Sequence, residues 1–243
     1  MGYLSQSLGV MEGQARQRRR RDSQKSRREE FLDAARGLFF KKGYRGTTIQ
    51  QIATHAGYSK RAVYLDYLNK DELFIRVCVE GGELLLVKLT EVPPDDLSVE
   101  ASIEQIMNAY NAFSREHGEY FRMIFSESTP EIIANCPQEL RDRVTYLERA
   151  CLGVLVDWTE RAMREGFITR IDPWEAAGIL FGAATGIILL SLGGVQTVFS
   201  KEALESLVGK AVRILREGLR VADRPAGTDL RKQEATDGGG YPA

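Results

Sequence analysis

The chain has 243 residues, 43% of them hydrophobic, a formal net charge of −1 and three cysteines. That is enough apolar material for one large or two small cores. The odd number and spacing of Cys78, Cys136 and Cys151 fit neither a disulfide framework nor a metal site, and the N-terminus lacks the sustained apolar stretch of a signal peptide, so buried reduced thiols and a cytoplasmic location are expected. The near-neutral total conceals opposed parts. Residues 1–80 hold 16 Lys and Arg against 9 Asp and Glu, and the remainder holds 17 against 25. The basic part suits a polyanion, and the acidic part should stay off one.

The predicted elements are all helical. Residues 1–15 carry little signal. The run RQRRRRDSQKSRR, residues 16–28, sets eight basic residues against Asp22 alone and cannot bury itself; residues 1–26 are expected to form a disordered basic arm. Phe31, Ala34, Ala35, Leu38 and Phe39 recur at helical spacing and predict an amphipathic helix over 28–42, stopped at Gly43. Thr48 and Gln51 form a capping box for a second helix, with Ile49, Ile52, Ala53 and Ala56 inward, and Gly57 ends it through a left-handed backbone. Ser59 caps a short third helix whose inward residues are Ala62, Val63 and Tyr67. Asn69 and Glu72 predict another capping box, opening a long helix over 70–90 with Leu73, Phe74, Val77, Leu84 and Leu85 inward and Pro93-Pro94 beyond its end.

Further helices are predicted over 98–117, stopped at Gly118, over 119–126, from Thr129-Pro130, and from Pro137 to Glu165 before Gly166. The first of these carries Ile103, Ile106, Met107, Tyr110 and Phe113. Residues 173–192 form a strongly apolar helix with Asp172 as cap, Pro173 in the first turn and Gly193-Gly194 after it. This stretch approaches membrane-spanning length. Its soluble-style start, and the absence of a second such segment, favour a helix at a subunit interface. Gly178, Gly182 and Gly186 lie four apart on one face, where another helix could approach closely. Ser200 caps a last helix over 201–221, and the Gly-, Asp- and Pro-rich residues from Asp223 read as a loose tail. With no alternating period-2 run, the expected fold is all-α.

The stretch TTIQQIATHAGYSKRAVYLDYLNKDEL, residues 47–73, concentrates three helix starts and a tight turn. Two short helices joined by a Gly-containing turn, the second bearing Ser59, Lys60, Arg61 and Tyr64, read as a helix-turn-helix that enters a DNA major groove. Thr48, Ser59 and Asn69 would cap their helices with or without DNA, and Tyr67 suits a core aromatic. Capping and packing give no reason for the cations at 60 and 61, and the adjoining basic arm is read as a phosphate-tracking or minor-groove element. There is no Gly-rich phosphate loop, nucleophile elbow, metal cluster or cofactor motif, so an enzyme is not expected.

The run FLDAARGLFFKKGYRGTTIQQIATHAGYSKRAVYLDYLNKDELF resembles the tetracycline-repressor family of bacterial transcription regulators: a first helix ending in Gly-Tyr, then Thr-Thr, Ile-Ala, Ala-Gly-x-Ser-Lys, Val-Tyr and a Lys opening the fourth helix. The rest of the chain matches only in layout. The resemblance implies an N-terminal three-helix DNA-binding domain, here 27–75, followed by a helical effector-binding and dimerisation domain, 76–222, with a tail at 223–243. It implies DNA contact by Thr48, Gln50, Ser59, Lys60, Arg61, Ala62, Tyr64 and Lys70: base reading by Arg61, and phosphate contact by Thr48, Tyr64 and Lys70. Asp66 departs from the pattern, where an aromatic or His is common, and an acid near phosphates repels unless it pairs with Arg61 or accepts from a cytosine amine. An effector cavity would draw on Met107, Tyr110, Phe113, Phe121, Phe125, Trp158, Trp174 and Phe181, with Asp157, His117 and Glu148 as polar anchors. The two-fold seam would be built from Gly178, Gly182, Gly186, Leu204, Val208 and Ala211.

The expected partners are a palindromic double-stranded DNA operator, an unidentified hydrophobic small-molecule effector and a second copy of the chain, with no metal, cofactor or membrane. The expected function is a transcriptional regulator, a repressor released by its effector, acting in the bacterial cytoplasm and nucleoid-associated when on DNA. The alternatives are an architectural DNA binder indifferent to sequence and, more remotely, a helical small-molecule enzyme.

Overall fold

The computed structural model describes residues 24–91 and 97–192, together with helical residues 207, 209–211, 213, 214, 217 and 218. The fold is all-α. In chain order, α1 spans 24–42, α2 Ile49–His55, α3 Lys60–Asp66, α4 Lys70–Thr90, α5 Val99–Glu116 and α6 Gly118–Arg122. A π-helical turn, Met123–Glu127, leads to α7 Pro130–Ala134, α8 Gln138–Arg164 and α9 Pro173–Leu192.

Two apolar cores organise these helices. The head core joins Phe31, Ala35 and Phe39 of α1 to Ile52 and Ala53 of α2, Val63 of α3, Tyr67 just after it, and Leu73, Phe74 and Val77 of α4. Phe39 and Phe74 meet edge to face with centroids 5.1 Å apart. Each such fully buried side chain contributes about 1.5–3 kcal/mol of apolar burial. The body core gathers Leu85 and Leu89 of α4, Ile103, Met107, Tyr110 and Phe113 of α5, Leu155 and Trp158 of α8, and Leu180 and Ala184 of α9. α4 therefore threads both cores. Leu73 to Cys78 serve the head, and Leu85 and Leu89 the body.

The local signals act largely as expected. Thr48 and Gln51 complete a reciprocal box, Ser59, Ser98 and Thr129 accept backbone N–H bonds at their helix starts, and Asp172 Oδ1 accepts from the N–H groups of Trp174 and Glu175 at 2.9 and 3.0 Å. Gly57 turns the chain at φ +78°. The Cys78, Cys136 and Cys151 thiols are unbridged and buried.

Five expectations are corrected. α1 begins at or before residue 24, so the last residues of the presumed arm, 24–26, are helical; docking against the end of α3 supplies partners that a free arm would lack. Asn69 accepts from the Glu72 N–H at 2.8 Å, but Glu72 Oε2 accepts from Leu68 rather than Asn69, at 2.7 Å, so that box is only half closed. Leu84 is exposed, one position off the stripe that Leu85 and Leu89 bury. Gly118 opens α6 rather than merely ending α5. The predicted single helix at 119–126 is instead α6 followed by the π turn, in which Met123 and Ile124 pack against the head core and Phe125 against the body core. Ser200, the Pro93-Pro94 stop, Leu204, Val208 and the tail from 223 lie outside the described residues. Ala211 is helical and half-buried.

Candidate nucleic-acid interface and effector cavity

Docking of α3 follows from its sequence order. Val63 is fully buried, and Asp66 and Tyr67 are nearly so. At 100° per residue the opposite face then carries Lys60, Arg61, Tyr64 and Leu65. Tyr64 is 50% and Leu65 68% exposed, and Lys60 Nζ lies 5.9 Å from the Tyr64 ring centroid. Ser59 is exposed with its Oγ accepting from the Ala62 N–H at 3.3 Å, and Ala62 is half-buried. Thr48, which caps α2, and Gln50 within it are exposed, with Gln50 Nε2 donating to Thr54 Oγ1 at 3.3 Å. All eight expected DNA-binding residues are exposed or half-buried, and seven of them make no side-chain hydrogen bond to another element among the described residues.

Lys70 is the exception. Its ammonium donates to the Tyr44 and Thr47 carbonyls at 2.9 and 3.0 Å and lies 3.9 Å from the Tyr44 ring centroid. Burial lowers its pKa. The lysine thus ties the start of α4 to the turn between α1 and α2. Thr47 completes the fastening from within, its buried hydroxyl donating to the Gly43 carbonyl at 2.9 Å.

Asp66 finds its partner outside the helix-turn-helix. Arg27 Nε and Nη2 donate to the two carboxylate oxygens at 2.7 and 2.9 Å, and Gln24 Nε2 adds a bond at 3.3 Å. These bonds hold the Asp66 carboxyl below the ordinary aspartate range. Arg28 donates to the Asp66 carbonyl at 2.7 Å and stacks 4.7 Å from the Tyr67 ring centroid, while the Tyr67 hydroxyl donates to the Arg28 carbonyl at 2.7 Å. The acid that looked repulsive to DNA instead clamps the root of the basic arm against the end of α3. Sequence reasoning missed Leu65 and this clamp. The helical phase of Val63 could have pointed to Leu65, but nothing local could have paired residues 27 and 66.

A cavity of about 420 Å³ opens between α4, the π turn, α7, α8 and α9. Cys78, Ile124, Phe125, Glu148, Cys151 and Phe181 are among its walls. Of the eight expected pocket residues only Phe125 and Phe181 line it. Met107, Tyr110, Phe113, Phe121 and Trp158 are buried in the body core. Their polar atoms are used there: Tyr110 and Thr185 share a hydroxyl bond of 2.7 Å, and the Trp158 indole donates to the Val99 carbonyl at 2.8 Å. Trp174 is 49% exposed at the start of α9. Asp157 and His117 are not in the lining, whereas Glu148 is. An aromatic stripe at helical spacing marks burial, and it does not separate a packed core from a cavity wall.

On α9, Gly178, Gly182 and Gly186 share an open face on which an added Cβ would meet nothing within 4 Å. Ile179, Leu190 and Leu192 are exposed on the same helix. The helix is long and apolar enough to cross a membrane by length and composition, with 28% of its most apolar window buried. Among the described residues no group of three or more His, Cys, Asp or Glu is placed to hold a metal ion.

Residues 31–77 match the bacterial regulatory proteins of the tetR family. The HTH-type transcriptional repressor SCO4008 of Streptomyces coelicolor is 31% identical over 151 residues, which cover 62% of this chain and 71% of that protein. The HTH-type transcriptional repressor KstR2 of Rhodococcus jostii is 28% identical over 122 residues, covering 50% of this chain and 56% of that one. In fold, the chain is similar to the transcriptional regulator FadR from Bacillus subtilis, solved in complex with stearoyl-CoA, with a TM-score of 0.61 at 18% identity over 79% of this chain and 99% of the other. The chain belongs to the tetR family of bacterial regulatory proteins and is a helix-turn-helix, DNA-binding regulator of transcription.

Proposed function

We propose that the protein is a homodimeric repressor that holds a palindromic operator and lets go when a hydrophobic small molecule enters the cavity. The outward face of α3 carries this reading, because it gathers Lys60, Arg61, Tyr64 and Leu65 opposite fully buried Val63. Arg61 reads a guanine edge, Leu65 packs on a thymine methyl, and Lys60, Tyr64, Thr48 and Gln50 hold phosphates that set the register. The head is residues 27–75, the effector and dimer body 76–222, and the arm before residue 24 adds phosphate contacts beside the clamp at Arg27.

The Gly178, Gly182 and Gly186 face of α9, with its exposed neighbours, is the seam between two copies. It sets the recognition helices about 34–36 Å apart, one turn of duplex. The effector acts by differential affinity: a ligand that favours the DNA-incompetent arrangement lowers operator affinity, and operator lowers ligand affinity by the same factor. The B. subtilis regulator of similar fold is solved with stearoyl-CoA, a ligand that carries a long apolar chain.

Selection of the full chain against a random duplex library tests this reading. An inverted repeat with half-sites one turn apart is expected, bound by a species that sediments as a dimer. Affinity governed by salt and indifferent to sequence would point instead to an architectural binder.

A further inference from the structure

The geometry points to a lipophilic cation as the cavity's ligand: an apolar body carrying one positive charge that meets the Glu148 carboxylate. This rests on the reading of the cavity as the effector site and names the ligand's chemical class.

The lining residues come from α4, the π turn, α7, α8 and α9, and those with a polar or titratable side chain are Cys78, Ser128, Glu148 and Cys151. There is no Lys, Arg or His among them. The Ser128 hydroxyl is neutral. Burial keeps both thiols neutral as well, pushing Cys151 to about 11 and Cys78 higher still. Glu148 is therefore the single lining group that carries charge at neutral pH. It lines the cavity while its side chain is exposed to solvent, and the burial it does undergo raises its pKa.

Its carboxylate makes no hydrogen bond or ion pair among the described residues. The neighbouring acids Glu83 and Glu80 are both paired, with Arg143 and Arg36. An unpaired carboxylate beside apolar walls gains most from a cation, whose own cost of leaving water it offsets. Phe125 and Phe181, with centroids 5.6 Å apart, add ring surfaces that attract positive charge. The cavity volume lies within the range that takes a drug-sized molecule. A fatty acid or acyl-CoA brings negative charge to a lining that holds only a carboxylate, and nothing there pairs with it.

Calorimetric titration of the full-length protein with tetraphenylphosphonium and tetraphenylborate, two ions of matched shape and opposite charge, tests the assignment. Palmitoyl-CoA serves as the anionic-lipid arm. The phosphonium is expected to bind at least tenfold more tightly than palmitoyl-CoA. Glu148→Gln should lower the phosphonium-to-borate affinity ratio at least tenfold, and Glu148→Asp should largely retain it. Both variants are expected to melt within about 2 °C of the parent, since the side chain is exposed and unpaired.

The assignment is overturned if palmitoyl-CoA binds as tightly as the phosphonium, if the ratio is unmoved in Glu148→Gln, or if the phosphonium gives no binding heat. These outcomes are independent of operator selection. A chain that selects no inverted repeat would sink the repressor reading while leaving the ligand result to stand by itself.

Discussion

Glu127 and Tyr44, 83 positions apart, are joined by a 2.7 Å hydrogen bond from the Tyr44 backbone N–H to the Glu127 carboxylate. Glu127 ends the π turn, and Tyr44 sits in the turn between α1 and α2. A Cβ added at neighbouring Gly43, held at φ +69°, would come within 3.1 Å of the same carboxylate. Arg122 reinforces the bridge, donating to the Phe40 carbonyl at 3.1 Å and pairing with Glu127 at 3.4 Å. Within this one turn Met123 packs into the head core and Phe125 against the body core, where it also lines the cavity. The π turn thus joins the cavity wall to the DNA-binding head through non-covalent contacts, alongside the direct connection along α4, whose Ile75 and Cys78 belong to both.

Removing the bridge should loosen the head without unfolding the body. Glu127→Ala is expected to cost about 1.5–3 kcal/mol, the scale of one charge-assisted hydrogen bond. Native-state hydrogen exchange should rise at least tenfold at the Tyr44 amide and stay near parent rates in α9. Equal acceleration in both places would mean that Glu127 matters only to global stability.

The outward residues of α3 should divide by role. Arg61→Ala is expected to relax the preference at one guanine position, worth about 1–3 kcal/mol of discrimination. Leu65→Ala should do so at a thymine position. Replacing that thymine with deoxyuridine, which lacks the methyl group, should weaken the parent several-fold and the Leu65→Ala variant hardly at all. If the methyl makes no difference to the parent, Leu65 does not read it.

Lys60 and Lys70 should behave oppositely despite equal charge. Lys60→Ala should leave the melting temperature near that of the parent and reduce the slope of log affinity against log salt by about 0.9, one phosphate contact. Lys70→Ala strips the Tyr44 and Thr47 carbonyls of their shared donor and should lower stability by about 1–3 kcal/mol. Thermal melts and salt titrations on the same samples separate the two roles. A full unit-contact loss of slope in Lys70→Ala with no change in melting would reverse the assignment.

The Arg27 and Asp66 clamp should make stability acid-sensitive. Asp66 titrates below its ordinary value when folded, so the unfolded chain takes up the proton first. The stabilisation is present above about pH 4, the ordinary aspartate range, and is lost as pH falls through the lower folded value. Asp66→Asn should therefore be less stable than the parent at pH 7, with the gap closing toward pH 3 in urea melts. A gap that persists unchanged at pH 3 would exclude the carboxylate charge as its source.

Helix positions, caps and the helix-turn-helix were legible in the chain because their causes lie within a few residues. The Thr48 and Gln51 box, the Ser59 cap and the Gly57 turn are each complete inside one short segment, and the phase of Val63 orients α3. The body was less legible. Met107, Tyr110, Phe113 and Phe125 are alike in type and spacing, yet one lines a cavity and three fill the core. Which of these occurs depends on how far apart neighbouring helices sit, and no single helix records that distance.

By itself, then, the order of residues determined the helices, the charge asymmetry and the cations on the outward side of α3, since these follow from backbone hydrogen bonding and periodicity. Tertiary packing alone decided that Lys70 fastens a turn, that Asp66 anchors Arg27 and that Glu148 lines a cavity without a partner among the described residues. A charged side chain takes its role from whichever partner is brought within about 3 Å, and these partners come from elements far apart along the chain.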